Sequence, residues 1–119
     1  MKFNGMKHNI VYLRHIVDEI SFLLESTENL NYDSFLESET YTRAFSRSFE
    51  IIGEAVKKLS EDFRKEYSEI EWKKMAGIRD KIIHQYFNVD YEIIWDAIKN
   101  KLPTIKEKIQ IILEQEDNQ

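Results

Sequence analysis

Arg79, Asp80, His84 and Tyr86 fall within the single run Arg79-Asp80-Lys81-Ile82-Ile83-His84-Gln85-Tyr86, on a segment that otherwise reads as a buried helix. The run holds a permanent cation, a carboxylate, a titratable imidazole and a phenol. A guanidinium neutralises a phosphate in any protonation state, and an imidazole is the natural proton carrier near neutral pH. Those two groups suffice, in principle, for phosphodiester cleavage of RNA without a metal. His84 would move a proton at the 2'-hydroxyl or at the leaving 5'-oxygen. Arg79 would hold the equatorial phosphate oxygens while charge grows on them.

Spacing decides which of these groups can cooperate. On a helix advancing about 100° per residue, Asp80 and His84 stand at i and i+4 on one face. The carboxylate can then accept a hydrogen bond from one imidazole nitrogen, which fixes the tautomer and favours the protonated ring. Arg79 and Tyr86 share a face, but Arg79 and His84 lie about 140° apart around the axis. One straight helix therefore does not aim both at one small ligand. Either the long side chains converge over the helix edge, or a second copy of the chain completes the site. The second is favoured, because a two-fold axis sets the same patch of both subunits side by side. Residue chemistry by itself leans to a plainer reading: an ion pair, a solvated imidazole and a packed ring.

The elements that must position these groups follow from composition and periodicity. A chain of 119 residues, 42% hydrophobic and 33% charged, is expected to form one globular domain over residues 1–119. Three glycines and one proline leave little material for turns, so the chain should be mostly helix. The absence of cysteine removes disulfides, thiol catalysis and thiolate metal sites, and fits a reducing cytoplasm. No apolar run reaches the roughly 20 residues that span a bilayer, and no signal peptide is expected. A net charge of -5 argues against a general nucleic-acid coat protein but leaves room for a local phosphate site.

Ile10, Leu13, Val17, Ile20 and Leu24 form an amphipathic stripe on a first long helix. Asn29, Asn31 and Asp33 break it, with a weakly signalled turn of helix over 32–37. The longest stripe is Phe45, Phe49, Ile52, Val56, Leu59 and Phe63, with Ser60 as the N-cap of a separate short helix near its end. A third long helix is predicted over 72–86. Asn88 is a candidate left-handed residue and Asp90 an N-cap for a helix through Ile94, Trp95 and Ile98. Pro103 marks an end or a kink, and Leu102, Ile105, Ile109 and Ile112 supply the last stripe before a frayed tail over 114–119. The predicted fold is all-α, an up-and-down bundle of four to five helices.

The segments Phe49-Glu50-Ile51-Ile52-Gly53-Glu54-Ala55-Val56-Lys57-Lys58-Leu59-Ser60, Trp72 to Phe87, Val89-Asp90 and Leu102-Pro103 resemble the HepT-like branch of the HEPN superfamily. The likeness runs from about Tyr41 to Leu113 and includes the Arg-x4-His-x-Tyr arrangement as Arg79, His84 and Tyr86. The resemblance implies an all-helical homodimer with metal-independent endoribonuclease activity, the toxin half of a toxin–antitoxin pair. It implies as partner a minimal nucleotidyltransferase that transfers AMP onto the motif tyrosine, here Tyr86. Ser68 and Asn88 depart from the proline and glycine that many relatives carry at those turns.

Several other residues carry expectations. Glu54 is either a solvated glutamate or a partner of Arg79 across the bundle. Gly53 and Gly77 each cost roughly 1 kcal/mol mid-helix relative to alanine, so close helix approach is expected at both. His8 and His15 are expected at the surface, too far apart for one metal, and no cofactor or metal is expected anywhere. Trp72 and Trp95 are expected in the core. Lys57, Lys58, Arg64, Lys65, Lys73, Lys74 and Lys81 read as a solvated mixed surface that can guide RNA. The competing reading is a non-catalytic nucleotide- or substrate-binding subunit, in which Arg79 and Tyr86 dock a nucleotidyltransferase or its nucleotide.

Overall fold

The structure, a computed structural model, describes the backbone of residues 2–84 and 90–117 and the side chains of residues 8–81 and 90–116. In chain order the helices are α1 (Lys2–Thr27), α2 (Tyr32–Glu37), α3 (Glu39–Lys58), α4 (Glu61–Glu66), α5 (Trp72–His84), α6 (Tyr91–Asp96) and α7 (Leu102–Asp117), with a π-helical segment, Ala97–Lys101, joining the last two. Among the described residues there is no strand, as the all-α prediction requires. Four rods make the bundle: α1, α3, α5 and the continuous α6–π–α7. The central pairings are α1 on α3, α3 on α5 and α1 on α7. The homodimer expectation concerns a second copy and stays an expectation.

Local chemistry sets the element boundaries. Ser38, Ser60 and Asp90 each turn a side-chain oxygen onto a free N–H of the turn that follows, as do N-caps generally, and Asn31 does the same for α2. Asn31 was expected only as a breaker, yet its Oδ1 accepts from Ser34 N at 2.8 Å. Asn9, buried on α1, bonds Ser60 through both ends of its amide and so ties α1 to the α3–α4 junction. His8 Nε2, also on α1, donates to the Lys58 carbonyl at the C-terminus of α3 at 3.1 Å. The predicted helix end at Tyr86 and the left-handed Asn88 lie outside the described residues.

Pro103 does not end the last rod. Proline offers no N–H and crowds the carbonyl four residues back. The preceding backbone widens to π geometry, in which the Leu102 N–H reaches the Ala97 carbonyl. Lys99, on this widened turn, donates to the Thr27 carbonyl at 2.8 Å and so caps α1 with a cation at its negative end. The expected frayed tail is corrected as well: α7 continues to Asp117, and Glu116 accepts a 2.6 Å hydrogen bond from Tyr67 Oη. Burial together with that carboxylate pushes the Tyr67 phenol well above its ordinary value.

The core follows the predicted stripe on α3, where Phe45, Phe49, Ile52 and Val56 are buried together with Leu59 and Phe63 just beyond it. On α1 the buried line is Leu13, Ile16, Ile20, Leu23 and Thr27, while the expected Ile10, Val17 and Leu24 are only half-buried. Both sets repeat at helical spacing. The difference arises because α1 is flanked by α3 on one side and α7 on the other, and the face between them wins. Trp72 is buried and its indole donates to the Tyr67 carbonyl, whereas Trp95 is half-buried beneath Lys99. Among the described residues no helix is long and apolar enough to cross a membrane.

Candidate functional site

The seam between α3 and α5 is where the motif residues are anchored. Gly53 and Arg79 face each other across it, and the contact is tight. A Cβ built on Gly53 would overlap Arg79 Cβ and lie 2.6 Å from Arg79 Cγ. The arginine stem therefore runs through the space that any other residue at position 53 would occupy. That contact explains why a residue costing roughly 1 kcal/mol in helix propensity sits mid-helix. The expectation of close approach holds at Gly53. At Gly77 it is corrected: among the described residues no atom lies within 4 Å of a Cβ added there, so no described neighbour demands glycine at that position.

The notch delivers the guanidinium to a cluster of charges. Arg79 is about three-quarters buried, with 24% of its side chain exposed. Its Nη2 lies 3.6 Å from Glu54 Oε1 and its Nη1 donates to Asp80 Oδ1 at 3.1 Å. Glu54 is therefore a partner of Arg79 across the bundle, the second of its two expected readings. Arg79 Nε is buried without a hydrogen-bond partner among the described residues. Lys57, one turn along α3 from Gly53, donates to the same Asp80 Oδ1 at 2.8 Å. These hydrogen bonds, first from Lys57 and then from Arg79, hold the Asp80 carboxyl below its ordinary value.

Two cations and two carboxylates thus form a chain of neutral net charge, Glu54–Arg79–Asp80–Lys57, at the surface of the seam. Asp80 carries both cations on one oxygen, Oδ1, which leaves Oδ2 outside these bonds. The structure brings together Arg79, Asp80 and Glu54 of the predicted residues. The His84 backbone is the last described in α5. The His84 side chain and all of Tyr86 lie outside the described residues, so the pairings of Asp80 with His84 and of Arg79 with His84 and Tyr86 are expectations. Lys57 was expected on a solvated mixed surface, and it is exposed there, with its ammonium paired to Asp80. The signal was present, because Lys57 stands at i+4 from Gly53 and so shares the face that meets Arg79. Two other lysines behave as read: Lys65 pairs with Glu61 within α4, and Lys74 pairs with Glu71 just ahead of α5.

Chemically, the arrangement presents a part-buried guanidinium on the surface of a bundle, in contact with exchangeable carboxylates. Such a group suits recognition of a phosphate or carboxylate. Among the described residues no cluster of three or more histidine or acidic side chains could hold a metal ion.

Known proteins resemble this chain over most of its length. Residues 16–112 match the family described as Ribonuclease HepT-like. A Caldanaerobacter subterraneus protein provisionally designated RNase TTE0752 is 45% identical over 111 residues, covering 93% of this chain and 99% of that one. A Methanocaldococcus jannaschii protein provisionally designated RNase MJ0127 is 45% identical over 102 residues, covering 85% and 84% of the two chains. A Thermococcus cleftensis protein designated a probable ribonuclease HepT is 38% identical over 99 residues, covering 83% and 90%. No solved structure matches the chain significantly. With four-fifths of its length inside that family and relatives aligned almost end to end, the chain belongs to the HepT-like ribonuclease family of the HEPN superfamily.

Proposed function

We propose that this protein is a single-domain, cytoplasmic, metal-independent endoribonuclease that works as a homodimer. The observation that carries the reading is Arg79 lodged in the Gly53 notch, in a chain of this family that also keeps His84 and Tyr86 at the motif spacing. His84 acts as the proton carrier and Arg79 as the anchor of the scissile phosphate. The 2'-oxygen attacks phosphorus as its proton leaves, the P–O5' bond breaks, and the 5'-oxygen takes up a proton. The products are a 2',3'-cyclic phosphate and a 5'-hydroxyl. No electron pair in this scheme needs a metal. Asp80 orients His84 through Oδ2, and Glu54 holds the guanidinium from the α3 side. The separation of Arg79 and His84 around α5 is what makes a two-fold axis the natural place for the site.

Cleavage of total RNA by the purified chain, with chelator present, tests this directly. His84→Ala and Arg79→Ala should each lower cleavage by about 10² to 10⁴-fold, the scale of a positioned proton carrier or oxyanion donor, with the helical signal unchanged. Full activity in the His84 variant, free of contaminating nuclease, ends the proposal.

The same reading makes the protein the toxin of a toxin–antitoxin pair. A minimal nucleotidyltransferase joins the Tyr86 phenolic oxygen to the α-phosphorus of ATP, releasing pyrophosphate. The attached AMP sets an anionic phosphate beside Arg79, where it competes with RNA for the cation. Incubation with the cognate transferase and ATP should add AMP mass at Tyr86 and suppress cleavage. Label on a different residue would refute this arm. One observation favours the second reading, a non-catalytic docking or nucleotide-binding subunit: Glu54 and Asp80 already neutralise Arg79 within the subunit. A single-turnover assay with chelator separates the two.

A further inference from the structure

Lys57 and Arg79 come from different helices and converge on one anionic oxygen. Lys57 Nζ stands 2.8 Å and Arg79 Nη1 3.1 Å from Asp80 Oδ1. We infer that Lys57 is a second phosphate-binding residue, acting with Arg79 on the same substrate phosphate. The inference rests on the ribonuclease reading above and adds a group to its site.

The argument has three parts. The first is geometric. A non-bridging phosphate oxygen placed where Asp80 Oδ1 lies would meet both donors at charge-assisted hydrogen-bond distance. The carboxylate marks a position that the two cations already recognise as anionic. The second part is the charge balance. Arg79 faces two carboxylates, Glu54 and Asp80, so these three groups alone carry one net negative charge and would repel a phosphate. Lys57 brings the cluster to neutrality, and it is the described cation in contact with Asp80 from α3. The third part is exchangeability. Lys57 and Asp80 are 45% and 43% exposed, and ion pairs in contact with water are weakly held. Substrate phosphate can displace the Asp80 carboxylate from both cations, and the freed carboxylate then turns wholly to its other contacts. The Gly53 notch matters here too, because it fixes the arginine stem while Lys57, one turn further along α3, approaches from outside.

The test uses the full chain and a 2'-O-methyl RNA oligonucleotide, which keeps the phosphates but lacks the nucleophile. Its affinity is measured against salt concentration. Lys57→Met should weaken binding about tenfold, the scale of one charged hydrogen bond, with the fold intact by circular dichroism. It should also reduce the slope of log affinity against log salt by about 0.7, as expected for one lost phosphate contact to a single strand. Lys57→Arg should restore both. Asp80→Asn should tighten binding, because it releases both cations. An unchanged slope in Lys57→Met overturns the inference. So does weakening in Asp80→Asn as large as in Lys57→Met, which would make the ion pair purely structural. Cleavage of ordinary RNA is followed in parallel. A wild-type chain that binds with this lysine dependence but never cleaves overturns the nuclease reading and leaves Lys57 as a phosphate ligand. A wild-type chain that cleaves, with kcat/KM unaltered in Lys57→Met, overturns the Lys57 inference and leaves the nuclease reading standing.

Discussion

Around Phe35, where α2 folds onto α3 and α6, the bundle is held by rings; at the surface of the α3–α5 seam the motif arginine is held by one missing side chain and a chain of charges. Phe35 is fully buried, stacked on Phe45 at 5.2 Å and on Trp95 at 5.3 Å, with Tyr91 edge-on at 5.8 Å. Contacts of that kind are apolar, redundant and tolerant of small shifts. The placing of Arg79 has no such redundancy. Arg79 is placed by the absence of a Cβ at Gly53, and it is aimed by Glu54, Asp80 and Lys57. The difference teaches that stability and site geometry are kept in separate parts of a small bundle. Charges that must exchange partners gain little from burial, so they sit where water can reach them.

The contrast can be broken most forcefully at the aromatic end. Phe35→Ala should cost about 3–5 kcal/mol of stability, through lost burial and the cavity left among its neighbours, read as a lowered urea midpoint. Binding of RNA per folded molecule should change little, and a large loss there would mean that the two regions are not separate. Gly53→Ala comes next. Its gain in helix propensity is about 1 kcal/mol, but the new Cβ meets the stem of Arg79 near the backbone, where little can yield. Overpacking of this sort costs about 1–3 kcal/mol, so a net loss is expected, with cleavage falling further than stability.

Gly77→Ala should do the opposite. Among the described residues no atom stands in its way, and thermal unfolding should shift upward by the equivalent of roughly 0.5–1 kcal/mol. A destabilised Gly77 variant would mean that a partner, such as a second subunit, packs on that face. The smallest effect is electrostatic. Asp80 titrates below its ordinary value in the folded chain, so its stabilising share is present above the unfolded-state value. That share disappears as pH falls through the lowered folded one. Asp80→Asn should therefore lower the neutral plateau of the melting-temperature profile slightly and flatten its acid side below about pH 4, where the two profiles converge. A profile steepened by the substitution would reverse the assigned sign.

Much of the molecule was legible before any coordinates. Phe45, Phe49, Ile52, Val56, Leu59 and Phe63 recur at steps that only a helix turns to one side, and all six are buried. Ser60 and Asp90 announced helix starts because a short side chain with an oxygen is what a free N–H needs. The line on α1 was misread by one residue at alternate positions. Leu23 and Leu24 are equally apolar, and only the neighbours of α1 decide which of them turns inward. The tail to Asp117 was misread because its helix is held by a tyrosine, Tyr67, 49 residues away.

The sequence by itself determined the helical class, the chemistry available at Arg79, and the family to which that chemistry belongs. Residue type and helical spacing are local properties, and they survive without knowledge of what packs where. Tertiary structure alone decided that Gly53 is a notch and Gly77 is not, that Glu54 reaches Arg79, and that Lys57 shares its carboxylate. Each of those facts depends on the registry of α3 against α5, a long-range quantity set by the whole core.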